Sequence, residues 1–313
     1  MARPASKRTL ADYLRGTVIG SAMTTSTVTF GTPMLAVGLL GALVPAKPFD
    51  DAAIAITNRW LAVNSWLIEH ALPNIEWHLT LPEDLKMDGQ YLLTCNHQSW
   101  VDTTVMQYIG LYRMPLTRFF TKWELVFIPF LGLSFKILGF PMMKRHSKAQ
   151  IAKNPALRQQ DFDEARRSCE KLTQKPYTLL NYLEGTRFTA QKHAQQQSPY
   201  THLLRPKAGG IGLALNILGP QVDGVIDMTI VYPDGVPGYS DFWMGRVRRI
   251  GVDMRHVPVP AGLLGGDYEN DLAYREKITD WVNTLWAEKD QKIREMLEKF
   301  GVDPDQHPAP LSA

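Results

Sequence analysis

The stretch CNHQSWVDTTVM, residues 95–106, follows directly on the apolar run YLLT. A short apolar strand that ends at once in Asn96, His97, Gln98, Ser99 and Asp102 brings polar side chains to the rim of a buried sheet. One reading is a strand-to-helix turn, with Ser99 as N-cap and Asp102 in the first turn of the helix. The other is a catalytic turn, in which His97 and Asp102 act together. The twelve residues alone leave both open.

Outward from this stretch the pattern alternates. Short apolar segments, partly β-branched or aromatic, predict strands at Tyr91–Cys95, Arg118–Lys122, Tyr177–Leu183 and Val225–Tyr232. Phe162, Ala165, Cys169 and Leu172 recur at spacings of three and four, which predicts an amphipathic helix. A second stripe, from Leu272 to Phe300, predicts a long helix over 271–300 with Gly301 as its C-cap. Strands alternating with helices argue for an α/β fold with a mostly buried sheet.

The chain has 313 residues, 45% hydrophobic and 21% charged, and so has the length and composition to bury a large core. A net charge of +3 makes no case for nucleic acid as a partner. Eight Trp, twelve Phe and twelve Met suit a protein that meets lipid or an apolar ligand. Cys95 and Cys169 form no motif with each other and read as thiols of a reducing compartment, without a disulfide or zinc site. The segment AQKHAQQQSPYTH, with His193 and His202, reads as a mobile loop and not a metal site.

Three further segments follow the first motif: FFTKWELVFIPFLGLSFKILGFPMMKR (119–145), LLNYLEGTRFT (179–189) and DMTIVYPDG (227–235). An H-x4-D motif, a K-x-E-L…P-x-x-G block and E-G-T-R in this order resemble the 1-acylglycerol-3-phosphate acyltransferase family of membrane glycerolipid acyltransferases. The likeness is closest to the subgroup whose third motif reads E-G-T-R-F-T and continues through RPKAGG. Leu183 departs from the proline that many relatives carry before the glutamate.

The resemblance implies a mixed sheet flanked by helices. It also implies transfer of a fatty acyl group from acyl-CoA or acyl carrier protein to lysophosphatidic acid or a related lysophospholipid, with no bound cofactor, no metal and no acyl-enzyme. An acyl transfer to an alcohol needs a base near the hydroxyl and positive density near the developing oxyanion. His97 suits the base, since the unperturbed imidazole titrates close to neutrality. Asp102 would fix its tautomer and stabilise the imidazolium. Arg187 would hold the acceptor phosphate through its bidentate fork. Gly185 would let the backbone approach the ligand, next to Thr186, and Glu184 would orient Arg187 or the glycerol hydroxyls. Lys122 would face the thioester or the phosphate.

Weaker candidates are the basic cluster Lys144, Arg145 and Lys148, and the turn around Lys207, Gly209 and Gly210. Part of LVFIPFLGLSF would line a tunnel for the acyl chain. Two readings compete with the transferase: a membrane serine hydrolase using Ser99 and His97, and a lipid binder without turnover.

The amino terminus carries Arg3, Lys7, Arg8 and Arg15 against one acid, Asp12, while Gly16–Pro45 carry no charge. Roughly 20 apolar residues span a bilayer, but the first half of this segment is rich in hydroxyls, and Gly31 and Pro33 are expected to break it. Residues 52–71 read as an amphipathic helix. The basic amino terminus favours the cytoplasmic side, where the acyl donors are. A single crossing would export the catalytic domain, so residues 17–71 are expected to form a hairpin or, given Lys47, Asp50 and Asp51, a shallow helix pair in one leaflet. The expected layout is a membrane anchor over 1–71, a catalytic domain over 72–302 on the cytoplasmic side (of the inner membrane, if bacterial), and a loose tail over 303–313.

Overall fold

In the computed structural model, which describes residues 8–43, 47–127, 131–143, 148–154 and 156–307, the apolar run before Asn96 is an interior strand of a six-stranded sheet. In chain order, α1 (Leu10–Leu43) and α2 (Lys47–Ala71) precede β1 (Glu76–Thr80), β2 (Gln90–Cys95), α3 (Val101–Gly110), β3 (Thr117–Phe119) and β4 (Thr121–Lys122). Then come α4 (Leu131–Ile137), β5 (Met142–Met143), α5 (Lys148–Lys153), α6 (Ala156–Leu172), β6 (Tyr177–Asn181) and α7 (Ala190–Gln196). The series closes with α8 (Gly209–Leu218), β7 (Gly224–Val231), α9 (Tyr239–Trp243), β8 (Arg249–Val257) and α10 (Leu272–Lys299).

The strand order is β1-β8-β7-β2-β6-β3, with every pair parallel except β7 and β8. The period-2 alternation sorts the core into two layers. Tyr91, Leu93 and Cys95 of β2 pack with Val101, Val105 and Ile109 of α3 and with Ile19 and Ile68 of the first two helices. Leu92 faces the opposite way, toward Cys169 of α6, Leu215 of α8, and Trp286 and Ile293 of α10. On that second face Asp227 of β7 is fully buried. It is neutralised by the equally buried Lys289 of α10 at 2.6 Å and by Arg255 of β8 at 2.7 Å.

The first two helices pack against each other. Ser26 Oγ donates to Asn64 Oδ1 at 3.0 Å, and Thr57 Oγ1 lies 3.4 Å from Met34 Sδ, so the pairing runs antiparallel. The pair sits on the sheet layer through Ile19 and Ile68, and Tyr108 of α3 donates to Glu69 of α2 at 3.1 Å. The expected break at Gly31 and Pro33 does not occur, because α1 runs through both. Its hydroxyls are satisfied within the helix: Thr17, Thr24, Thr27 and Thr32 each donate back to the carbonyl four residues earlier, at 2.8–2.9 Å. Among the described residues no helix is long and apolar enough to cross a membrane.

Other expectations shift. The strand expected at Arg118–Lys122 divides. The hydroxyl of Thr121 donates to Phe119 O and its amide to Pro141 O, so β4 leaves the main sheet and pairs with β5 instead. The segment around His193 and His202 is not a free loop. It holds α7, His193 bonds the Tyr200 carbonyl at 2.6 Å, and His202 is buried. The tail expected to be loose from residue 303 instead forms a short turn over Pro304–Gln306 and buries His307; residues 308–313 lie outside the described residues. Lys144 and Arg145 also lie outside them, as do the side chains of Lys122 and Lys148.

Candidate active site

The site forms where β2 ends between its parallel neighbours β6 and β7. Asn96 extends the ladder by one residue with its side chain: its amide donates to Ile230 O at 2.8 Å and accepts from Ile230 N at 2.9 Å. The backbone can then turn, and His97 comes free of the sheet. The turn closes around Asp102, which is 1% exposed. Its Oδ2 accepts from His97 Nδ1 at 2.9 Å, Gln98 N at 2.7 Å and Ser99 N at 2.8 Å. Its Oδ1 accepts from the Tyr232 hydroxyl at 2.7 Å.

A carboxylate can only accept, so Nδ1 of His97 carries the hydrogen and Nε2 keeps its lone pair for an incoming proton. The imidazole is stacked on Tyr182, centroids 4.0 Å apart and planes 16° from parallel. Its backbone is gripped as well: His97 N donates to Glu184 Oε1 at 2.8 Å, and Phe188 N donates to His97 O at 2.7 Å.

Ser99 is placed otherwise than the N-cap reading expected. The N-cap of α3 is Trp100, and the Ser99 hydroxyl donates to Pro237 O at 2.6 Å while accepting from Val101 N. With its proton on a backbone carbonyl and its side chain buried, Ser99 is a turn residue and not a nucleophile aligned with His97.

The E-G-T-R segment turns back toward this dyad. Gly185 adopts φ +67°, a conformation that favours glycine, and a Cβ there would meet Lys207 Nζ at 3.0 Å. The Arg187 guanidinium lies 4.5 Å from the ring centre of Trp100, which joins the third motif to the first. Thr186 Oγ1 accepts from Lys192 Nζ at 2.7 Å, and the same ammonium reaches Arg187 O at 3.0 Å. The turn therefore gathers Arg187, Lys192 and Lys207 around a glycine, a cationic setting suited to a phosphate. Among the described residues no cluster of His, Cys, Asp or Glu could hold a metal ion.

The residues over 76–233, which include every one of these groups except Pro237, match the family model described as Acyltransferase. This chain belongs to the acyltransferase family. Its fold is that of the 1-acyl-sn-glycerophosphate (LPA) acyltransferase PlsC from Thermotoga maritima, with a TM-score of 0.51 at 18% identity over 88% of this chain and 96% of that one. No curated protein matches the chain.

In this acyltransferase Glu184 stands where the sequence reading did not put it. It is fully buried, with Oε1 on the His97 amide and Oε2 on the Leu204 amide at 3.0 Å, so it clamps the H-x4-D turn and does not reach Arg187. Burial pushes its carboxyl up from 4.5 to about 8, against those two backbone bonds. Tyr182 and Tyr232, inside the segments LLNYLEGTRFT and DMTIVYPDG, were given no role in the sequence reading; the signal was their place in those segments, beside the charged residues. A cavity of about 430 Å³ runs beside α3, between it and α1, α2 and α9, and is lined by Gly20, Thr27, Trp60, Thr104, Gln107 and Trp243 among others. Of the 125–135 stretch, residues 128–130 and the side chains of Leu125, Val126 and Leu131 lie outside the described residues, and none of its other residues lines this cavity.

The Glu184 clamp has a pH signature. Its carboxyl titrates higher in the folded chain than its ordinary 4.5, so the folded state binds the proton more tightly. The corresponding stability is present below 4.5 and is lost as pH rises through about 8. Glu184→Gln should flatten this decline, which denaturant midpoints measured across that range will show. It should also slow acyl transfer, because one of the two amides then faces an NH2 group. Parallel pH curves for the two proteins would count against the clamp.

Proposed function

We propose that this acyltransferase moves a fatty acyl group from the thioester of acyl-CoA or acyl carrier protein to the free hydroxyl of lysophosphatidic acid or a closely related lysophospholipid. The observation that carries this reading is the His97–Asp102 pair on one turn, with Arg187 of the next motif resting on Trp100 of that same turn. A base and a phosphate-sized cationic turn are then neighbours, as an acceptor bearing both a hydroxyl and a phosphate requires.

In this mechanism His97 Nε2 takes the acceptor's hydroxyl proton as the oxygen attacks the acyl carbonyl, and Asp102 stabilises the imidazolium that forms. The tetrahedral intermediate collapses with loss of the donor's thiolate, which receives the proton from the imidazolium. The new ester bond replaces the thioester, and no group of the protein is acylated. Arg187, helped by Lys192 and Lys207, holds the phosphate, and Lys122 faces the thioester or the phosphate. The test is to offer the purified protein a panel of lysolipids with acyl-CoA or acylated carrier protein and to identify the products by mass. Phosphatidic acid should form with lysophosphatidic acid, and His97→Ala should slow it roughly 10²–10⁴-fold. Arg187→Lys, which keeps the charge and loses the fork, should raise the acceptor KM about tenfold and leave the donor KM alone. Exclusive use of a phosphate-free acceptor would sink the reading.

The cavity beside α3 is assigned to the acyl chain. It begins at Thr104, two residues past Asp102, and has the size of a small-molecule site. A side chain added at Gly20 would enter open space on its wall. Gly20→Leu should therefore lower the rate with long-chain donors relative to shorter ones by about tenfold, since each buried CH2 contributes about 0.8 kcal/mol. An unchanged chain-length profile would place the acyl chain elsewhere.

The first two helices are assigned to a shallow seat in one leaflet, with the catalytic domain on the cytoplasmic side. Leu10, Leu14 and Val18, spaced by four on one face of α1, are exposed, as are Leu39, Leu40 and Leu43 at its far end. A reporter fused after Ala313 that glows only in the cytoplasm should light up, and one active only after export should stay dark. The reverse pattern would overturn the assignment.

A further inference from the structure

We infer that Tyr232 is a positioning residue of the catalytic pair, its hydroxyl locking the second oxygen of Asp102 so that the first stays aimed at His97. The inference rests on the proposed role of His97 as base.

Asp102 has two oxygens in unequal surroundings. Oδ2 takes three donors, all from the turn itself: His97 Nδ1, Gln98 N and Ser99 N. Oδ1 takes the Tyr232 hydroxyl, which arrives from the end of β7, 130 residues away in the chain. At 1% exposure Oδ1 is out of reach of bulk solvent and depends on that donor. Without the phenol, Oδ1 is a buried and unsatisfied acceptor. The carboxylate keeps its bond to His97 through Oδ2, but its rotation is no longer fixed from the far side, and the imidazole it holds is less firmly aimed.

Tyr232 is itself held in place. It is 1% exposed, and two residues earlier Ile230 is pinned on both N–H and C=O by the Asn96 amide. Its own carbonyl accepts from Nε2 of the buried His307 at 3.1 Å, and the His307 carbonyl in turn accepts from His202 Nδ1 at 3.2 Å. Neither histidine has a partner on its other ring nitrogen, which suits two neutral rings donating to carbonyls. The phenol is thus a stiff arm, fixed at the backbone and ending on the catalytic carboxylate. Burial pushes the phenol far above its ordinary range, so it remains a donor throughout the working range of an imidazole base.

The arm also tunes charge. A phenol donor draws density from the carboxylate, and its loss makes Asp102 a stronger partner for the imidazolium. The other titratable groups that bear on this pocket are Cys95 of β2, Tyr182 and Glu184 after β6, Asp227 of β7, Lys289 of α10 and His307. Burial pushes Cys95 and Tyr182 far above neutrality, Glu184 to about 8 and His307 down to about 4.

The test compares Tyr232→Phe with the wild type in full-length protein. The expected result is a fall in kcat of about tenfold, the scale of one hydrogen bond to a charged group. Both KM values should stay within twofold, and the acid limb of kcat/KM should move to higher pH. Fluorinated tyrosine at 232 keeps the volume and donates more strongly, so it should move the same limb to lower pH, and it serves where the phenylalanine variant folds poorly. Side-chain NMR of the His97 imidazole, without substrate, should show its titration moving up in Tyr232→Phe and down with the fluorinated residue. If the NMR titration moves and no lysolipid is acylated by the wild type, the positioning role stands and the acyl-transfer reading falls. If transfer is intact and neither titration nor pH limb moves, Tyr232 is merely structural and the inference is overturned.

Discussion

One buried carboxylate governs this site. Asp102 is almost without solvent, and an ionised carboxyl in such a place is tolerable only when its lone pairs are met by donors. Four donors meet them, and each comes at a geometric cost to the chain. The amides of Gln98 and Ser99 have to curl inward, the imidazole has to lie flat against Tyr182, and Tyr232 has to reach across from β7. The shape of the H-x4-D turn follows from satisfying that single group.

The sheet supplies the grips. Because β2 is interior, its end is flanked on both sides, and each neighbour contributes a different hold. After β6 come Tyr182, Glu184 and Phe188, on the ring, the amide and the carbonyl of His97. At the end of β7 come Ile230 and Tyr232, on Asn96 and Asp102. An edge strand would leave one of these sets without a place to stand.

What the sequence disclosed and what it hid follow the same division. Local patterns were legible: the strands around β2, β6 and β7 and the long stripe of α10 are periodicities within one element. His97, Asp102 and Arg187 belong to short motifs whose residue types advertise their chemistry. The holds just described are pairings across 87 and 130 residues, and no local pattern marks them. Glu184 was expected to orient Arg187 or the glycerol hydroxyls; only the fold shows both its oxygens spent on backbone amides. The strand β8 went unseen because Asp253 and Arg255 interrupt its apolar run, though the ion pair of Arg255 with Asp227 accounts for one of them. Pro33 misled in the opposite direction, since a proline that would end an isolated helix is carried here by packing of α1 against α2.

The docking of His307 beneath Tyr232 has a consequence for how the molecule is born. Synthesis runs from the amino end, so the hairpin, β2 and the H-x4-D turn emerge long before residue 307. Until that residue clears the ribosome, the backbone that carries the phenol lacks its last anchor, and the carboxylate it serves is not yet seated. Closing so long a loop is among the slower events of folding. A nascent chain can therefore pair its first two helices and lay down β2 before the turn that follows β2 is held in its final shape.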